Sequence, residues 1–172
     1  MSTDQHAKTD ILVAITLLFL GFYGGIGFFT IIGLNPALLK MSEPGFVEFW
    51  QHVDSYMGSR MSIIGPLILL LTLASTILLH KRYSRKAAIF MTIALLLIII
   101  DAAFALNLND PLNTLIQSWD LNSLPADVSS VQHRVVNIFW FRSTNMIMSF
   151  ILGILAFWKR TPATQALHNH RL

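Results

Sequence analysis

Four long apolar runs, at residues 11–34, 61–79, 87–106 and 135–158, are separated by polar connections. Each is close to or above the ~20 residues that cross a ~30 Å hydrocarbon core at about 1.5 Å per residue. The first two contain no Asp, Glu, Lys or Arg. The pattern predicts an all-α fold, a four-transmembrane-helix bundle formed by residues 1–172 as a single integral membrane domain.

Between the runs the pattern changes character. Residues 35–60 hold Pro36, Pro44 and Gly45, then Phe46, Val47, Phe49, Trp50, Val53, Tyr56 and Met57 at helical spacing. Residues 108–131 open with Asn109, Asp110 and Pro111 and continue with Leu112, Leu115, Ile116 and Trp119, again on one helical face. Each connection is expected to form a short amphipathic helix lying in the interface and capping one mouth of the bundle. The connection between the second and third runs is barely a turn. The tail at residues 166–172 reads as a frayed end.

Composition agrees with this picture: 54% of residues are hydrophobic and only 12% charged, outside the range of soluble globular domains. The first run is too long for a signal-peptide core and lacks a small-residue cleavage site, so it is expected to remain as a helix. Cysteine is absent, which excludes disulfides, thiolate metal ligands and thiolate nucleophiles.

Charge placement supplies an orientation. Lys8 precedes the first run, His80, Lys81, Arg82, Arg85 and Lys86 fill the tight turn, and Lys159, Arg160 and Arg171 follow the fourth run. Glu43, Glu48, Asp54, Asp110, Asp120 and Asp127 occupy the two longer connections. The positive-inside rule then predicts both termini in the cytoplasm, across a bacterial inner membrane. The net charge of +3 is a topology signal, with no basic stripe for nucleic acid.

Two charges interrupt the runs, Asp101 in the third and Arg142 in the fourth. An ionisable side chain in lipid costs roughly 3 kcal/mol or more near the centre, so each calls for a partner or a polar cavity. Counted from the basic side, Asp101 lies about 21 Å up its helix and Arg142 about 24 Å up its own. The two are level, on helices expected to be antiparallel neighbours, and an ion pair between them is expected. Arg60, Asn107, His133, Arg134, Asn137 and Asn145 fall near the same height, whereas the basic-side half reads as almost purely apolar. On a 100° wheel His133, Arg134, Asn137, Phe141, Thr144 and Asn145 share about a third of the fourth helix. That face is expected to look inward, with Arg142 outside it.

Other features carry plain readings. Gly21, Gly24, Gly25 and Gly27 form a small-residue face for close helix packing, and Pro66 is expected to bend the second span. Trp50, Trp119, Phe139 and Trp140 read as an interfacial aromatic belt or as walls of an apolar slot. His52, Asp54, Asp101 and His133 lack the spacing of a known ligand set, and no metal site is expected.

Gly21, Phe28, Phe29 and the closing Asn35, Pro36, Ala37 and Leu38, then Asn109, Asp110, Pro111, Leu112 and Asn113 with downstream Trp119, and finally Arg142 and Ser143 heading an apolar helix, resemble the anthrone-oxygenase-like family of small four-helix membrane proteins. Where that family carries Asn three residues before the Arg, this chain has Phe139. The resemblance implies a monooxygenase or other oxidoreductase step, using molecular oxygen and no cofactor, on an aromatic or lipophilic substrate. Such chemistry needs a base, an oxyanion stabiliser and an apolar slot. Asp101 or His133 would be the base, Arg142 or Arg134 the stabiliser, Asn113, Asn137 and Asn145 orienting groups, and Trp119 and Trp140 the walls. The alternative is a non-catalytic membrane module that binds lipid or a partner subunit. The partners expected across the two readings are a lipophilic small molecule or lipid, and a second copy in a homo-oligomer.

Overall fold

A computed structural model describes residues 3–160, with side chains from Thr9 onward; Arg171 and the tail at 166–172 lie outside the described residues. Helix α1 (Thr3–Phe29) runs through a π-helical turn (Thr30–Leu34) into the single turn α2 (Asn35–Leu38). Helix α3 (Glu43–Arg82) follows, then α4 (Arg85–Phe104), which passes through a second π-helical turn (Ala105–Asn109) into α5 (Asp110–Gln117). Helix α6 (Val128–Trp158) closes the bundle. Four apolar rods long enough to span a membrane result: Thr9–Leu38, Glu43–Arg82, Arg85–Gln117 and Val128–Trp158. The chain is an all-α four-helix bundle of the kind expected of a polytopic membrane protein.

The two π turns share a local cause. Each is followed at once by a proline dipeptide, Asn35-Pro36 or Asp110-Pro111. A proline ring inside an α-helix clashes with the carbonyl four residues back. Widening the preceding turn to i→i+5 bonding, Asn35 N–H to Thr30 O and Asp110 N–H to Ala105 O, lets each helix continue past its proline.

The rods exceed the membrane. At 1.5 Å per residue the 40 residues of α3 extend about 60 Å, twice a hydrocarbon core. The amphipathic segment of the first connection is therefore not a separate interfacial helix: it is the first half of α3. Ser42 caps its start, with Gly45 N–H reaching Ser42 Oγ at 3.4 Å, and nothing after Pro44 breaks it until Pro66, which α3 passes without ending. The second connection does contain its expected short helix, α5, joined to α4 and burying Leu112 and Ile116.

Two buried clusters divide the bundle. One joins Val13, Leu20 and Tyr23 of α1 to Leu79, Met91, Ile98, Met146 and Ala156. The other joins Leu38, Phe46, Val47 and Trp50 to Leu112, Ile116 and the Val128, Val131, Val135 and Val136 stripe of α6. The basic-side half is more polar inside than its sequence suggests. Thr16, Thr72, Ser75, Thr76 and Ser149 are buried there, and Thr16 Oγ1 meets Ser75 Oγ at 2.8 Å across α1 and α3. Small hydroxyl residues of this kind join helices where lipid offers no hydrophobic drive.

Glycines set the closest approach. A Cβ on Gly27 would lie 2.7 Å from the Ser143 carbonyl oxygen, and one on Gly24 would lie 2.8 Å from Phe150 Cβ. Both contacts bring α1 onto α6. Gly25 has nothing within 4 Å and points away, so only part of the glycine face packs.

Candidate functional site

Asp101 is held from two sides. Arg142 Nε of α6 donates to Asp101 Oδ1 at 2.8 Å and its Nη2 to Oδ2 at 3.3 Å, while the Tyr23 hydroxyl of α1 donates to Oδ2. The Asp101 side chain is 4% exposed and that of Arg142 14%. The guanidinium also lies 5.6 Å from the Phe139 ring centroid. This triad ties α1, α4 and α6 at one height, as the depths of Asp101 and Arg142 implied. Tyr23 had no place in the reading of the sequence, although it is the single tyrosine in the four apolar runs.

Elsewhere in the bundle, some buried polar atoms lack partners: Asn35 and Asn109 lie about 18 and 12 Å along α1 and α4 from Tyr23 and Asp101. Neither amide atom of Asn35 is hydrogen bonded, and Asn109 Oδ1, Ser143 Oγ and Asn145 Nδ2 are likewise unpaired. Asn35 is 0% exposed and Asn109 6%. Asn35 directly follows the first π turn, its N–H closing it on Thr30 O, and Asn109 is the last residue of the second. Ser143 adjoins Arg142 in sequence and Asn145 follows one turn later. Native interiors leave few polar groups in this state, and π turns recur at functional positions.

The inward face of α6 differs from the one expected. His133, Arg134, Asn137, Trp140, Phe141 and Thr144 are exposed, and only Asn145 of the expected arc is buried. The buried stripe runs through Val128, Val131, Val135, Val136, Ser143 and Met146, with Arg142 on the same side at 100° per residue. The first turns of α6 pack on α2 and α3 in the second cluster. There, burying four valines against Leu38, Phe46 and Trp50 outweighs any gain from turning polar side chains inward. His133 and Arg134 consequently do not join Asp101 and Arg142. Phe141 stacks instead on Phe104 at 4.1 Å.

The remaining candidates have structural partners. Asn113 accepts from Trp50 Nε1 at 3.1 Å and donates to Asp54 Oδ1 at 2.6 Å, which fastens α5 to α3. Trp50 is buried, edge-on to Phe139 at 5.3 Å; the two are core residues and not a belt. Trp119 packs against the same cluster and its carbonyl accepts from Gln51 at 3.0 Å. Trp140 is exposed, as a belt residue would be. Arg60 bonds back to the Tyr56 carbonyl at 2.7 Å. Among the described residues no three His, Cys, Asp or Glu side chains converge on one point.

A polar pocket of about 330 Å³ is lined by Asp54, Gly58, Asp110, Asn113, Thr114 and Gln117. Next to it, α3 stands clear of the bundle: 11 of the 13 positions from Ser55 to Leu67 are exposed, on every side of the helix. Compared with family models, curated proteins and solved structures, the chain shows no significant match.

Proposed function

We propose that the chain is a membrane-embedded binding protein for a lipophilic small molecule. The ligand's polar end would hydrogen bond to Asn35 and Asn109 above the Tyr23, Asp101 and Arg142 triad. The observation that carries this reading is the wholly unpartnered buried amide of Asn35, together with the unpaired Oδ1 of Asn109, each at a π turn. An unsatisfied buried polar group costs about 1–3 kcal/mol. A ligand hydroxyl, which can donate to the Asn109 and Asn35 Oδ1 atoms and accept from Asn35 Nδ2, would remove that cost and gain specificity from it. Entry would be lateral, beside the unpacked stretch of α3. With the basic turn on the cytoplasmic side, the site lies toward the outer leaflet.

Binding is favoured over turnover by the state of the charged groups. Arg142 gives two of its five N–H donors to Asp101, whose carboxylate balances its charge, so it is a weaker oxyanion stabiliser than an unpaired guanidinium. His133 lies on another face of α6. Oxidation of an anthrone-like substrate with Asp101 as the base, as the family resemblance implies, would require the carboxylate to leave Tyr23 and Arg142 first.

The test uses Asn35→Leu and Asn109→Leu. Purified wild-type protein is expected to retain a lipophilic compound detectable by mass spectrometry, and each variant to lose it while melting at a higher temperature once delipidated. Unchanged retention in both variants, or a lower melting temperature of the delipidated variants, would overturn the reading.

A further inference from the structure

On the opposite half of the bundle α1 and α6 part to leave an apolar groove of about 590 Å³. Ala14, Leu18, Gly21 and Phe22 line one wall and Phe150 and Phe157 the other. Its depth follows from Gly21, where a Cβ would already touch the Phe150 ring at 3.4 Å. Along α1 the seven steps from Ala14 to Gly21 measure about 10 Å, within one leaflet of a ~30 Å core. The volume lies inside the ~300–1,000 Å³ range of small-molecule sites.

The groove ends in positive charge. The Arg160 guanidinium sits 3.7 Å from the Phe157 ring centroid, and Lys159 Nζ sits 5.2 Å from that of Trp158, itself 75% exposed. Arg82 reaches α1 at the same end, donating to Thr9 Oγ1 at 2.6 Å. Asp10 is the one acid bonded into this cluster among the described side chains, accepting from Tyr83 at 2.8 Å and Arg160 at 3.1 Å. Lys81, Arg85 and Lys86 occupy the adjoining turn. The surface is strongly cationic at interfacial depth, and the slot beneath it is apolar.

We propose that this groove holds an acyl chain of an anionic phospholipid whose headgroup rests on Lys159 and Arg160. Charge decides the occupant. A second copy packed in parallel through the same face would bring two identical basic clusters together, which is repulsive. An anionic headgroup is attracted by each cation, and the apolar slot accepts its chain.

Native mass spectrometry of the full chain in detergent tests this, with phosphatidylglycerol or phosphatidylcholine of equal chain length added. The wild type is expected to keep one phosphatidylglycerol per chain in clear preference to phosphatidylcholine. Lys159→Gln with Arg160→Gln should lower that preference roughly tenfold or more. Ala14→Phe, at an exposed position that leaves the core untouched, should block retention of both lipids at an unchanged melting temperature. Equal retention of the two lipids by the wild type would overturn the proposal. So would a preference that survives both variants, or a dimer that Ala14→Phe abolishes.

Discussion

Arg142 grips Asp101 side-on, its Nε at 2.8 Å from Oδ1 and its Nη2 at 3.3 Å from Oδ2. The two planar groups are matched edge to edge. Breaking a buried pair by removing one partner leaves an uncompensated charge and costs about 3–5 kcal/mol. Asp101→Asn and Arg142→Gln are each expected to lower thermal stability in detergent by that order. The double variant should recover part of the loss, giving a coupling energy of about 1–3 kcal/mol in a double-mutant cycle. Strictly additive losses would contradict the bonded pair.

Tyr23→Phe removes a donor but leaves Asp101 with Arg142. A hydrogen bond to a charged acceptor contributes about 1.5–3 kcal/mol. The variant is expected to be less damaged than Asp101→Asn and to keep its fold, as thermal melts of the two side by side would show. A loss equal to that of Asp101→Asn would mean that the hydroxyl is as essential as the carboxylate.

The glycines of α1 provide a graded series. Gly27→Ala places a Cβ against the Ser143 carbonyl, which is backbone and cannot swing aside. Overpacking of this kind costs about 1–3 kcal/mol. Gly25→Ala meets nothing within 4 Å and removes a helix-interior glycine, a gain of up to about 1 kcal/mol. Opposite signs in their melting shifts are the expected outcome.

Tyr83 offers a pH-dependent readout outside the spans. Burial first, then its hydrogen bond to Asp10, pushes its phenol from 10.0 up to about 12. The folded value exceeds the unfolded one, so its contribution to stability is complete below about pH 10 and is lost as pH rises to about 12. Phenolate absorbance of the wild type should therefore include one late-titrating group that Tyr83→Phe removes. Loss of stability over the same interval should be smaller in that variant.

Much of the membrane part was legible in the sequence because length and hydropathy alone fix it. The four apolar runs correspond to the four rods, and depth counting brought Asp101 and Arg142 level. The inward side of α6 was not legible, for a physical reason. That helix crosses two surroundings. Beside lipid, polarity marks the inward side, and Arg142 obeys that rule. Beyond lipid, in the cluster with Trp50 and Ile116, the rule of water returns and the valines turn in, carrying His133, Arg134 and Asn137 outward. One wheel drawn through both halves averages opposite preferences. The length of α3 was missed because Pro44 and Gly45 suggested a broken connection, although Ser42 caps a helix that runs through both. Tyr23 was hidden among glycines, since a tyrosine in an apolar run carries no hydropathy penalty large enough to draw notice.

The unpacked stretch of α3 has a mechanical consequence. It contains Gly58 and Gly65, and Pro66 withholds the backbone bond that Ser62 O would otherwise accept in an α-helix. Its far end is clamped to α5 through Asp54 and Asn113, and its near end to α1 through Ser75 and Thr16. A rod fixed at both ends and softened between them can only bow sideways. Bowing would displace the exposed stretch from Ser55 to Leu67 without disturbing either clamp.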